Sequence, residues 1–156
     1  MSLRRGLATG AAAGAAGTTA LNAVTYLDMA LRARPSSSTP QDTVEKLAEK
    51  AHIAIPGDGE ARANRIAGLG PLTGIAAGVG VGAVLGLARA AGWRPGVVIT
   101  GVLATAGALL AGNGPMTVLG VTDPRTWAAK DWVSDVIPHL AYGAVAAGLL
   151  RRLDRT

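Results

Sequence analysis

Apolar positions fall into four long runs, at residues 6–27, 66–88, 97–119 and 132–150, with most of the charge in the stretches between them. Each run is close to the roughly 20 residues an α-helix needs to cross the hydrocarbon core of a bilayer. The pattern predicts an all-α fold: a polytopic membrane protein, a bundle of four transmembrane helices, forming a single domain over residues 1–156. The first run is the weakest, being nearly all Ala and Gly behind Arg4 and Arg5. No clear A-x-A cleavage site follows it, so it reads as a span and not as a signal peptide.

The first loop has its own pattern. In "STPQDTVEKLAEKAHIAIPGDG", Thr39 is the expected N-cap, Pro40 the first helical position and Asp42 the partner in a capping box. Val44, Leu47, Ala48 and Ala51 then share one face, with Glu45, Lys46, Glu49 and Lys50 mostly elsewhere. This predicts a short amphipathic helix over about 40–54, lying on the membrane surface or capping the bundle. "VTDPRTW" predicts another start, with Asp123 as N-cap and a helix running through Trp127 and Trp132 into the fourth span.

Composition sharpens the membrane reading. The chain is 49% hydrophobic but has no Phe, 3% aromatics and 22 glycines. A soluble core relies on large side chains, whereas membrane helices pack through small ones that let backbones approach. With no cysteine there is neither a disulfide framework nor a thiolate metal site. The net charge of +5 is spread in short flanks and not interleaved with aromatics, which argues against nucleic acid as a partner. Placing both termini in the cytoplasm puts Arg4, Arg5, Arg89, Arg94, Arg151, Arg152 and Arg155 inside, with Asp154 as their only acid. The cationic total is nearly even on the two sides, so it is the density in short flanks that favours this orientation in a bacterial inner membrane.

Two glycine ladders carry the strongest periodicity. Gly70, Gly74, Gly78, Gly82 and Gly86 recur at every fourth position of the second span. In the first span, Gly6, Gly10 and Gly14 continue as Thr18, Asn22 and Tyr26, so a small stripe becomes a polar one. Such grooves pack helices within a subunit or between subunits; spacing does not choose between these, and both uses, hence a homo-oligomer, are expected. "GVGVGA" at 78–83 fits a dinucleotide-binding pattern, but without the preceding strand or the later acidic residue that motif needs. No other phosphate, cofactor or metal motif occurs, and none is expected to bind.

The remaining chemistry lies in "DWVSDVIPHLAYG". Asp131, Asp135 and His139 are four apart on a helix, and Tyr142 continues their face. A four-span topology brings Asn22, Tyr26 and Asp28 to the same level. Asn113 joins them, in a "GNGPM" segment whose Gly114 and Pro115 are expected to interrupt the third span. Ionisable groups at such depth face the bundle interior and mark functional pathways. The expectation is a polar pocket in the outer half, where Asp135 and His139 handle charge and Asn22, Tyr26, Asn113 and Tyr142 line the walls. Its use stays open between helix-bonding glue, a proton or small-solute pathway, and catalysis or a metal site from Asp131, Asp135 and His139. Ser134 lies on another face from Asp135, so no paired nucleophile is visible. The partners expected are the lipid bilayer and either a second copy of the chain or another membrane protein.

The layout resembles small bacterial inner-membrane proteins of the YagU-like kind, through "GTTALNAV" in the first span, "STPQDTVEKLAE" in the loop and "PHLAYGAVAAG" in the last. The resemblance implies a four-span inner-membrane protein, with a loose association with acid or stress tolerance. It implies nothing firmer about chemistry. A structural subunit packed through its glycine faces is the alternative function, and a membrane-embedded enzyme the third.

Overall fold

The computed structural model describes residues 1–154, so Arg155 lies outside the described residues. It is all-helical: α1 Leu3–Arg32, α2 Thr39–Lys50, α3 Gly59–Ala90, α4 Val97–Val118 and α5 Ala129–Leu153, with a single 3-10 turn at Pro124–Thr126. The helices α1, α3, α4 and α5 are long, and each runs antiparallel to the neighbours it packs on. Gly6, Gly10 and Gly14 of α1 descend against Gly86, Gly82 and Gly78 of α3, Gly17 meets Tyr142 of α5, and Gly101 of α4 meets Gly143. One end of the bundle therefore gathers the start of α1, the end of α3, the start of α4 and the end of α5. The other end carries α2, which packs chiefly on α3.

Three of these helices, α3, α4 and α5, are long and apolar enough to cross a membrane. That suggests a membrane protein. The helix α1 has the length but is not among them, because Ala and Gly contribute little transfer energy and Thr18, Thr19 and Asn22 subtract from it. Only 17% of the apolar windows of α3 and α4 is buried inside the protein. Their outward faces expose Val84, Val98, Val102 and Leu110, a belt of aliphatic side chains with no protein cover.

The core is small-residue packing. A Cβ on Gly6 would sit 2.6 Å from the Gly86 carbonyl oxygen, and one on Gly82 would be 2.5 Å from the Gly14 Cα. Backbone thus lies on backbone, and only glycine allows that approach. Ala13, Ala104, Ala108, Tyr142, Ala146 and Ala147 fill the centre. The ladder does not hold one partner along its length. Gly70 faces Pro40 and Gln41 of α2, and Gly74 faces open space.

Several local expectations need correction. Ser38, not Thr39, is the N-cap of α2, and the Asp42 carboxylate accepts from the Ser38 hydroxyl (3.0 Å) in place of a reciprocal backbone box. The helix stops at Lys50, well short of 54, because His52 takes a left-handed conformation (φ 55°) and Ile53 N–H closes back on the Ala48 carbonyl. No helix runs from Asp123 into α5. Asp123 caps only the 3-10 turn, Trp127 is extended with its indole N–H on Thr122 Oγ1 (2.8 Å), and α5 starts afresh at Ala129. Pro115 does not interrupt α4, which continues as helix to Val118. The proline removes one N–H near the C-terminal end, where the loss of a single ladder bond is tolerated.

Candidate functional site

The buried face of α5 follows a three-and-four spacing, Pro138, Tyr142, Gly143, Ala146, Ala147 and Leu150, which keeps it on one side of the helix. Asp135 and His139 extend that face toward the α2 end. The Asn113 amide, near the end of α4, donates to Asp135 Oδ2 at 2.7 Å. His139 Nδ1 lies 2.6 Å from the Asp135 carbonyl oxygen and 3.5 Å from Asp135 Oδ1. A carbonyl can only accept, so Nδ1 carries the proton that is donated there, and Nε2 is the ring nitrogen outside this bond. That nitrogen faces α4 at Gly112, where a Cβ would stand 3.9 Å away. The side chains of His139 and Asp135 are 13% and 19% exposed, shielded from bulk water but not sealed.

Pro138 sits between these two residues, buried within α5. Having no N–H, it leaves the Ser134 carbonyl without its usual partner one turn earlier. The Ser134 hydroxyl donates to Lys130 O (2.9 Å) and is reached by Arg32 from the end of α1. Arg32 and Arg34 both pair with Asp28, which ties the C-terminal end of α1 together. The Arg34 hydrogen bond, followed by that of Arg32, holds the Asp28 carboxyl below the ordinary carboxylate range.

The sequence-derived set is thus brought together only in part. Asn113, Asp135 and His139 form one hydrogen-bonded cluster. Asn22 is half-buried on α1 and Tyr26 is 62% exposed, turned away from the bundle. Tyr142 is fully buried one turn below His139, its hydroxyl donating to the Gly78 carbonyl (2.6 Å) while its ring lies over Gly17. It joins α1, α3 and α5 beneath the cluster. Asp131 is exposed and accepts from its own Ala128 N–H (3.1 Å), so it does not join Asp135 and His139. Among the described residues no three His, Asp or Glu side chains are gathered closely enough to hold a metal ion.

A second polar cluster, at the opposite end, was missed. Arg89 reads in the sequence as part of a short cationic flank, yet it is 7% exposed. Its guanidinium is bound to Asp154 Oδ2 through Nε (2.7 Å) and to Thr100 Oγ1 (3.1 Å). The available signal was that Asp154 is the only acid near that end.

The architecture defines a class, a helical protein whose three apolar helices suit a bilayer. No protein-family model, curated protein or solved structure matches the chain.

Proposed function

We propose that this chain is a four-span bacterial inner-membrane protein, with both termini cytoplasmic, whose Asp135–His139 pair binds or passes a proton or small solute reached from the α2 side. The kinship with YagU-like proteins belongs to the same proposal. The observation that carries it is the Asp135 carboxylate, set among apolar helices and shared between Asn113 and His139. Packing needs no such group, since an ionisable side chain at this depth is costly unless it is used. The antiparallel seating of α1 against α3 and α5 supports its role as the fourth span. The uncovered aliphatic belt suits lipid and a second copy of the chain. Proton flux into liposomes tests the reading. Wild type is expected to conduct, and His139→Ala and Asp135→Asn to abolish flux while expression and oligomer size hold. Flux that survives both substitutions overturns it.

The alternative, a structural subunit of a larger membrane complex, is favoured by one face of α3. Gly74 meets no atom within 4 Å, and Leu72 and Ile75 beside it are exposed. Gly78 and Gly82 are taken up by α1 inside the bundle, so the informative substitution is Gly74→Leu. Release of a co-purifying membrane protein by Gly74→Leu, with no effect of His139→Ala, would favour this role.

A further inference from the structure

After His52 the chain crosses an exposed side of α3 as "IAIP", and an open groove lies between this 53–56 segment and Gly68, Leu69 and Leu72 of α3. Its walls are almost wholly apolar, with Asn64 and Arg65 at the end nearer the α3 N terminus. Ile53 and Leu72 are 66% and 58% exposed, too much aliphatic surface on one feature to leave in water. Depth along α3 supplies the next constraint. From Ile66 to Ala88 there is no charged residue, so Arg65 is the last cation before the apolar run and stands at headgroup level. Leu69 and Leu72 follow about one and two turns deeper, at acyl level.

The arginine itself is prepared for an anion. Its Nη1 donates to the Pro56 carbonyl (2.9 Å), which fixes the guanidinium at the end of the groove and leaves its other donors open. Arg62 is neutralised by Glu45 and Lys46 by Glu49, whereas Arg65, like Lys50 at the end of α2, has no carboxylate partner among the described residues. An oriented, unneutralised guanidinium above an apolar trough matches one molecule that a bilayer supplies in abundance. We propose that this groove is a phospholipid site, with the phosphate on Arg65 and one acyl chain along Ile53, Leu69 and Leu72. The site is separate from the Asp135–His139 cluster and does not depend on what that cluster does.

The test is native mass spectrometry of the delipidated full-length protein titrated with phosphatidylglycerol, beside diacylglycerol of the same chains. Wild type is expected to retain phosphatidylglycerol and not diacylglycerol. Arg65→Ala should weaken retention about tenfold, the loss of roughly one charge-assisted contact. Gly68→Leu, at a position with no atom within 4 Å of the added carbon, should fill the trough and displace the lipid while leaving Arg65 intact. Leu110→Ala, on the exposed face of α4, should change nothing. Equal binding of diacylglycerol, or wild-type retention by either Arg65→Ala or Gly68→Leu, would overturn the assignment.

Discussion

Adding one methyl to the glycine ladder should have opposite effects at two positions a couple of turns apart. At Gly82 the new carbon would lie 2.5 Å from both the Cα and the amide nitrogen of Gly14. These are backbone atoms and cannot rotate aside, so α1 and α3 must separate along their contact. Overpacking of this kind costs about 1–3 kcal/mol, and the absence of a movable side chain argues for the upper part of that range. The intrinsic helix preference for Ala over Gly returns at most about 1 kcal/mol, leaving Gly82→Ala about 2 kcal/mol less stable. At Gly74 nothing lies within 4 Å, so only the propensity gain remains, and Gly74→Ala should be neutral or up to about 1 kcal/mol more stable. The assay is reversible unfolding of both variants and wild type in one mixed-detergent titration. The predicted separation is about 3 kcal/mol. Equal shifts for the two variants would refute the backbone-on-backbone account of the α1–α3 contact.

Tyr142→Phe removes the hydroxyl that holds Gly78 O but keeps the ring over Gly17. It should cost about 1 kcal/mol in the same titration, and a null result would mean the bond is replaced. Arg89→Leu strands Asp154 at 15% side-chain exposure and should cost about 3 kcal/mol, the low end for a broken buried pair. Adding Asp154→Leu should recover most of it, a double-mutant cycle that additive losses would contradict. Asp28 gives the pH dependence. Its folded pKa lies below the ordinary value because of Arg34 and then Arg32, so its contribution is complete above the unfolded pKa, near pH 4. It is lost as pH falls through the lower, folded value. Hydrogen exchange at the end of α1 should therefore quicken below about pH 4, and Asp28→Asn should be quick at neutral pH too.

What the sequence could and could not convey follows from geometry. The apolar run at 97–119 corresponds to α4 at 97–118 because hydropathy alone marks the ends of a helix whose outward face is also apolar. Stripes at every fourth residue mislead, since a helix turns about 100° per residue and such a stripe drifts about 40° per step. Over the five steps from Gly6 to Tyr26 it winds about 200°, which is why Gly6, Gly10 and Gly14 face α3 while Tyr26 points away. The same drift leaves Gly74 uncovered and turns Gly70 to α2. Asp135, His139 and Tyr142, at three-and-four spacing, do share a face, whereas Asp131, expected on that face four residues earlier, is exposed and outside it. Long-range pairing has no local signature: nothing near Asn113 names Asp135, and nothing near Arg89 names Asp154.

The two polar clusters stand at opposite ends of the α4–α5 seam, and what lies between them decides how any solute could cross. A Cβ on Gly143 would be 2.6 Å from the Gly101 carbonyl oxygen and would overlap Thr105 Oγ1. The seam is therefore closed by backbone contact, with no room for a column of water. A path that runs along this seam from Asp135–His139 to the Arg89–Asp154 end thus requires α4 and α5 to part at this crossing. A disulfide can forbid that motion. A Cβ on Gly101 would lie 3.7 Å from the Cβ of Ala147, within the spacing a disulfide spans. The chain has no cysteine of its own, so a Gly101→Cys/Ala147→Cys variant would carry one possible bridge. Oxidised protein in liposomes should lose flux, and reduction should restore it, with the single-cysteine variants indifferent to redox state. Flux that continues through the fully bridged protein would exclude this seam as the route.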